Sequence, residues 1–369
     1  MCNYLKFIIP ALLLISSFYF LYETYGSSLT FDSIEVDYIS PKEKLLETIS
    51  NKPNYKTEGL NFQTNRKHII PTTDTISEKL AKIFPYDQNK DFSKQLWQTW
   101  KVGLDDKEFP DNFKEYHESW VEKNPDFEFH VVPDEKCDEM IMELYKDVPD
   151  VIKAYHTLPK VILKADFFRY LILFAKGGIY SDLDTVALKP VSQWPSTQDQ
   201  YLNDPINIGL TVGIEADPDR DDWAQWYARR IQFSQWTIFS KVGHPMLRDL
   251  ISKITTITLV REMTGKLNEI LDGKDQGNDI MNWTGPGIYT DCIFRYLNII
   301  LHESFDLDII IDNDIFKRLE KPIVVDDVML MPITSFSPGH NDESNHALGI
   351  DSELALVQHK FEGSWKNNG

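Results

Sequence analysis

The chain has 369 residues, 42% of them hydrophobic and 26% charged, which is enough apolar content to bury a full core in one large domain or two and too much for a disordered protein. Its formal net charge of -19 disfavours nucleic acid or an anionic membrane surface as the main partner, so an anionic ligand must be met by a metal or by local arginines. With 3 cysteines, no C-x-x-C and no His-Cys cluster, structural zinc has no support.

Residues 1–6 carry one cation, Lys6, and lead into an uncharged apolar run from Phe7 to Tyr22 that Glu23 closes. The run is slightly short for an average bilayer, and it predicts a single signal-anchor transmembrane helix over 7–22 with 1–6 as the cytoplasmic tail. A cleaved signal peptide ending near Gly26-Ser27-Ser28 is the competing reading; its positive leader would be thin. Cys2 beside the anchor reads as a buried thiol rather than an acylation site. Cys137 and Cys292 are then the one pair available for a lumenal disulfide, and nothing in the sequence brings them together. Residues 23–90 mix acids, lysines, asparagines and prolines, with a short helical pattern around Pro41 to Ile49 and no sustained alternation, and read as a stem.

After the stem, Lys94 to Trp100 is apolar and aromatic, bounded by Gly103, and reads as the first strand. A helix from Asn112 to Lys123 follows. Phe127 to Val132 alternates as a second strand, and Pro133-Asp134 starts a helix through Met140 to Tyr145. Val161, Ile162, Ala165, Phe168, Ile172 and Ala175 then recur at helical spacing, and Gly177-Gly178 supplies the permissive backbone that ends a helix. A short strand should follow at once and close on Asp182 and Asp184. If the chain stays extended there, alternation projects both carboxylates to one face, two hard oxygen ligands suited to a divalent cation. This order of strands and helices is that of a nucleotide-binding α/β sheet with helices on both faces, and acids at the carboxyl end of a strand sit where such sheets bind nucleotides. An acidic pair is also a common loop composition, so its surroundings must decide.

Those surroundings resemble the core motif of glycosyltransferase family 32, in which a D-x-x-R helix precedes a G-G-x-Y turn and a D-x-D. Asp166, Arg169, Gly177, Gly178, Tyr180, Asp182 and Asp184 match it. The similarity continues through S-K-Q-L-W-Q-T-W at 93 to 100, F-S-K-V-G-H-P-M-L at 239 to 247, W-T-G-P-G at 283 to 287 and G-S-W at 363 to 365, and so covers nearly all of the chain after residue 90. The runs V-G-I-E-A-D-P-D-R (212 to 220), W-Y-A-R-R-I-Q-F (226 to 233) and P-I-T-S-F-S-P (332 to 338) are similar to the branch that starts fungal outer mannan chains.

The resemblance implies a glycosyltransferase type A fold for residues 91–369, a Rossmann-like nucleotide-sugar-binding sheet flanked by helices. It implies a type II protein of the cis-Golgi membrane with a lumenal catalytic domain. The implied donor is GDP-mannose and the acceptor a high-mannose N-glycan on glycoproteins. The linkage would be α-1,6 and the cofactor manganese, with magnesium as the alternative. Other members extend chains or mannosylate inositol phosphoceramide lipids, and the absence of a second long apolar run counts against lipid. A silent subunit of a Golgi mannosyltransferase complex is a further alternative, which an intact D-x-D disfavours.

Carried over residue by residue, the family assigns Asp182 and Asp184 to the metal and to catalysis, with His359 as candidate third ligand and Glu362 as its rival. Trp100 matches the residue that packs on the nucleotide base; beside it Trp97 reads by default as core. Asp166 and Arg169 map to donor binding, although three apart on a helix they would otherwise be an exposed ion pair. Gly285 and Pro286 would shape the sugar pocket, and Ser364 and Trp365 would close over the phosphates. Arg229 and Arg230 more naturally decorate a helix than neutralise a diphosphate. Asn282-Trp283-Thr284 is the one N-glycosylation sequon, expected at low occupancy or turned outward because a glycan there would crowd the pocket. Trp223, Trp226 and Trp236, among Asp217, Asp219, Asp221 and Asp222, offer either core or a surface for mannose rings. An α-linked donor and an α product mean retention. Double displacement would need a carboxylate on the β face; Glu215 is the nearest suspect but better suits a structural or acceptor-binding use, and same-face attack assisted by the leaving phosphate is preferred.

Overall fold

The computed structural model of the chain describes residues 39–64, 75–270, 279–302, 309–340 and 342–362. The apolar run 7–22, Ser364 and Trp365 lie outside them. Among the described residues no helix is long and apolar enough to cross a membrane.

In chain order the strands are β1 (Leu60–Phe62), β2 (Gln95–Trp100), β3 (Glu128–Pro133), β4 (Gly178–Ser181), β5 (Thr185–Ala187), β6 (Gln200–Tyr201), β7 (Asp204–Pro205), β8 (Leu210–Ala216), β9 (Gln232–Phe233), β10 (Thr237–Ser240), β11 (Ile323–Val325), β12 (Val328–Met331) and β13 (Val357–His359). The central sheet runs β1-β11-β12-β8-β10-β4-β2-β3, with β9 added against β8. It is mixed. β2 lies parallel to both β3 and β4, whereas β10 runs antiparallel between β4 and β8. The strands and helices foreseen from 94 to 181 are present within a residue or two, with one addition, the helix Pro149–Thr157.

The helix Val161–Lys176 is apolar on nearly every face and is accordingly buried on nearly every face, with Leu163, Phe167, Phe168, Tyr170, Leu171 and Phe174 fully enclosed. It stops at Gly177 (φ 67°), and Gly178 (φ 98°) follows in a conformation that L side chains rarely adopt. A Cβ on Gly178 would stand 2.4 Å from the Gln95 carbonyl oxygen, so the glycine pair is what lets β4 lie directly against β2. With the helices Pro245–Met263 and Pro286–Ile300, this helix covers one face of the sheet in the main core. The other face carries Trp120, Trp194, Phe239 and Phe336, the first from the helix Asp111–Lys123. Helices on both faces are therefore observed, as the element order predicts.

The stem expected over 23–90 ends earlier than the composition suggests. The described residues from Pro41 onward belong to one folded unit. β1 pairs parallel with β11, and Leu45, Tyr55, Leu60 and Leu80 are buried in the main core. Each of these apolar pieces is too short to carry a period of its own, and they are stable only as additions to an existing sheet and core. Cys137 and Cys292 are both buried free thiols, so the available disulfide does not form. Burial pushes the Cys292 thiol up to about 12.

Candidate active site

β4 delivers the chain to Asp182, and there the extension expected from the sequence stops. The Thr185 backbone N–H donates to the Asp182 carbonyl at 3.2 Å and the Thr185 hydroxyl donates to the same oxygen at 2.6 Å, which closes a turn over Asp182 to Thr185. The two carboxylates converge because the chain reverses, not because a strand alternates. Leu183, between them, drops into a small cluster with Phe109 and Phe113, and Trp100 packs against that cluster.

β13 completes the site from far along the chain. It pairs antiparallel with β5, His359 opposite Thr185, and so sets the imidazole beside the turn. His359 Nε2 is 3.3 Å from Asp184 Oδ1, and the ring is held by Trp236 and Phe361 at centroid distances of 4.5 Å and 4.2 Å. Ligand atoms of Asp182, Asp184 and His359 all lie within 4.8 Å of one another, a set of hard oxygens and one imidazole nitrogen that fits manganese or a similar divalent cation. Glu362 turns elsewhere. Its Oε1 accepts from the Tyr116 hydroxyl at 2.9 Å, and only its backbone N–H reaches Asp184, at 3.2 Å. The Phe361 N–H donates to His359 Nδ1 at 3.0 Å, which puts the ring proton on Nε2, facing Asp184. Ligation through Nε2 therefore requires that proton to leave and that N–H contact to give way, since a metal-bound histidine normally donates from its other nitrogen.

Asp166 and Arg169 face inward and are almost completely buried. Arg169 Nη2 lies 3.0 Å from Asp166 Oδ1 and 3.3 Å from Asp182 Oδ1, Nη1 donates to the Gln235 carbonyl at 3.1 Å, and the guanidinium sits 5.0 Å over the Tyr180 ring. The exposed-pair alternative is thereby removed. Asp166 also accepts from Gln235 Nε2 at 3.1 Å and from the Thr284 hydroxyl at 3.2 Å. Thr284 precedes Gly285, the cap of the helix Pro286–Ile300, so W-T-G-P-G adjoins Asp166 through its threonine.

Burial raises the Asp166 carboxyl to about 6 despite Arg169. Burial also raises Asp182, opposed by Arg169 and assisted by Asp184. Asp184 goes the other way: burial works against its charge, but His359 and the Glu362 N–H hold it below the usual carboxylate range. Two neighbouring acids with opposite shifts share one turn. Such separation is typical of functional carboxylates.

Trp97 is core, donating Nε1–H to the Gly177 carbonyl at 3.1 Å and stacking on His130. Trp100 stands half-buried at the strand end, edge-on to Phe113 at 4.8 Å. The three later tryptophans separate. Trp236 is buried behind His359, Trp223 is half-buried, and Trp226 is 61% exposed with Arg220 over its ring at 4.9 Å. Residues 227–231 are irregular, bending backbone rather than the helix expected under Arg229 and Arg230. Arg229 forks onto Asp291 at 2.6 Å and 2.5 Å, Arg230 donates to the Pro218 carbonyl, and neither has a described contact with the acidic turn. In the sequon, Asn282 Oδ1 accepts from Arg229 at 3.0 Å and Thr284 is fully buried. Gln235 was not foreseen. It joins Asp166 to Arg169 and takes a hydrogen bond from Tyr170, but an uncharged amide leaves no mark in charge or periodicity.

Residues 110–201 match a family model described as a glycosyltransferase sugar-binding region containing DXD motif. The whole chain is similar to an initiation-specific alpha-1,6-mannosyltransferase of Candida albicans, 51% identical over 373 residues that span 100% of this chain and 96% of the relative. Relatives of the same name from Saccharomyces cerevisiae and Schizosaccharomyces pombe are 37% identical over 89% of this chain and 88% of theirs, and 39% identical over 82% and 69%.

Proposed function

This chain belongs to glycosyltransferase family 32 together with the fungal initiation-specific alpha-1,6-mannosyltransferases and is a mannosyltransferase; from that premise we propose that it moves mannose from GDP-mannose in α-1,6 linkage, with retention, to the core N-glycan of glycoproteins. We read the sheet as a type A fold and the apolar run 7–22 as the anchor that fixes the enzyme in the cis-Golgi membrane, catalytic domain in the lumen. The reading rests most heavily on one feature, the unbroken chain Asp166–Arg169–Asp182 behind a cation-ligand set of Asp182, Asp184 and His359.

Asp182, Asp184 and His359 would hold a divalent cation, manganese by preference, whose Lewis acidity favours departure of the diphosphate. Arg169 fixes Asp182 from behind and offsets its burial, so the turn needs little rearrangement. Asp166, held by Arg169, Gln235 and Thr284, sets the polar wall against which the donor hydroxyls bind, and Trp100 presents a flat ring to the base. Gly285 and Pro286 shape the wall beside Asp166. The acceptor oxygen bonds to the anomeric carbon on the face from which the diphosphate oxygen departs; the electron pair leaves with GDP, and the acceptor's proton passes to the departing phosphate.

The test is turnover of GDP-mannose by the purified full-length chain with a high-mannose N-glycan and manganese, the product linkage being assigned by NMR. A new α-1,6-linked mannose is expected. No transfer, or transfer to α-mannobiose as efficient as to the whole glycan, would overturn the initiating role.

A further inference from the structure

A cavity of about 330 Å³ lies at the carboxyl end of β8, and the way that strand ends shapes it. β8 pairs with β9 through Ile214 opposite Phe233 and Ala216 opposite Gln232, so two steps on β8 answer one on β9 and Glu215 is the extra residue of a bulge. In a regular strand Ile214 and Asp217, three apart, would point to opposite faces. The bulge brings both into the wall of this one cavity. Arg318, Ile333 and Asn345 line it as well.

Asp217 is only 2% exposed, and its two oxygens are used unequally. Oδ2 accepts from the Arg318 N–H, whereas Oδ1 has no hydrogen-bond partner among the described residues, with Arg230 Nη1 standing off at 4.0 Å. The backbone of the same lining is strained: Arg318 (φ 60°) and His346 (φ 57°) both hold left-handed conformations, which cluster at ligand clamps when residues other than glycine adopt them. The charged groups around the cavity balance, Asp217 and Glu320 against Arg318 and Lys321, in a chain whose net charge is -19. Balanced charge, an amide and an aliphatic wall suit an uncharged ligand with many hydroxyls and an apolar ring face better than they suit an anion or a cation.

The topology puts this cavity on the chemical side of the sheet. β10 runs antiparallel to both β4 and β8, so those two point the same way, and Asp182 and Asp217 follow their carboxyl ends at one edge. Two strand spacings and about three residues of rise separate the two acids, roughly 10–15 Å, the reach of a few linked sugar rings rather than of one. His340 occupies part of that gap, its ring 5.9 Å from Phe361, which packs on His359. We propose that the cavity is a distal acceptor subsite: it holds one mannose ring of the N-glycan a few residues away from the hydroxyl that reacts, with ring carbons on Ile214 and Ile333 and a hydroxyl donating to Asp217 Oδ1. This assignment rests on the mannosyltransferase reading above, and it gives a whole glycan an anchor that α-mannobiose is too short to reach.

The experiment plugs the cavity from its mouth, where Thr57 is exposed and Leu348 is 55% exposed, so that neither change removes a buried side chain. Full-length Thr57→Trp and Leu348→Trp are compared with wild type in the presence of manganese. In each, the KM for a high-mannose N-glycan should rise at least fivefold, while the KM for GDP-mannose and its hydrolysis by water stay within twofold. Should one variant fail to fold, the other carries the test. An unchanged glycan KM, or an equal rise in both KM values, would overturn the subsite. Asp217→Asn, which turns the open acceptor into a donor or leaves one oxygen to serve two partners, should weaken glycan binding too, and unchanged binding there would remove the carboxylate from the contact. Calorimetric titration with the glycan alone should show the same losses without any donor. Failure of the wild type to use GDP-mannose would therefore sink the parent reading while the titration still decides the subsite.

Discussion

Two places in this molecule bury acidic groups among hydrogen-bonding neighbours, and they are built to opposite standards. Around Asp327, which is completely enclosed, the Tyr86 hydroxyl donates to Oδ2 at 2.6 Å, the Tyr296 hydroxyl lies 3.1 Å from Oδ1, and His244 Nε2 is 3.2 Å from Oδ2. Its backbone carbonyl takes Gly209 and Leu210 N–H groups as well. Around the acidic turn, Arg169 Nε is buried without a hydrogen-bond partner and the Asp182 and Asp184 carboxylates face each other and His359. The first cluster closes every valence and so fastens the β12 end of the sheet to the helices Pro245–Met263 and Pro286–Ile300. The second leaves valences open, which costs stability and makes sense where a ligand supplies the missing partners.

The sharpest way to break that contrast is Asp184→Asn. Transfer should fall by about a thousandfold or more while the melting temperature barely moves, because an amide is a poor hard-cation ligand at a site the fold does not need. Turnover near wild type would remove the acidic turn from the chemistry. The mirror experiment is Asp327→Ala, which should cost about 3 kcal/mol in denaturant unfolding by stranding two tyrosine hydroxyls and a histidine, while the folded fraction keeps its kcat. A loss of kcat without loss of stability would erase the distinction between the clusters.

Asp166 sharpens the same point through pH. Its folded carboxyl is raised by burial to about 6 from its ordinary value of 3.8, so the native state holds a proton that the unfolded chain releases earlier. Its contribution to stability is therefore lost as pH rises from about 4 to about 6 and is constant above that range. Metal-free Asp166→Asn should lack this slope in thermal melts, and it should be no less stable than wild type at neutral pH although its transfer is impaired. A steeper slope in the variant would contradict the assignment. Next, His359→Gln should weaken manganese binding about tenfold by calorimetry, since one of three ligands is exchanged and two carboxylates remain. Unchanged affinity would leave His359 as a hydrogen-bond donor to Asp184 only. Last and smallest, Trp226→Ala should raise the KM for the N-glycan a few-fold, since its exposed ring sits at the rim rather than at the chemistry. An unaltered KM would free Trp226 from any acceptor role.

Much of the donor side could be read directly from the chain. The helix, the two glycines and the acids are local events, each set by side-chain period or by a backbone conformation that only glycine takes easily, and they stand where they were expected. The cation-ligand set is legible only in part. Asp182 and Asp184 are two residues apart, whereas His359 arrives by a strand pairing that no local pattern encodes. Its choice over Glu362 depends on which side chain Tyr116 captures.

What the sequence by itself determined, then, is the run of short-range structure from residue 94 to the acidic turn and, through resemblance, the chemistry expected there. Only the tertiary structure decided that the carboxylates meet across a turn and that residues 41–62 join the core instead of a stem. It also decided that the Asp166–Arg169 pair faces inward and that Glu215 is pushed out of the β8 ladder by a bulge. Period and propensity act over a few neighbours: the turn is local but breaks the alternation a strand would show, and the other three outcomes depend on burial and pairing between segments far apart in the chain, whose free energy exists only once the sheet has assembled.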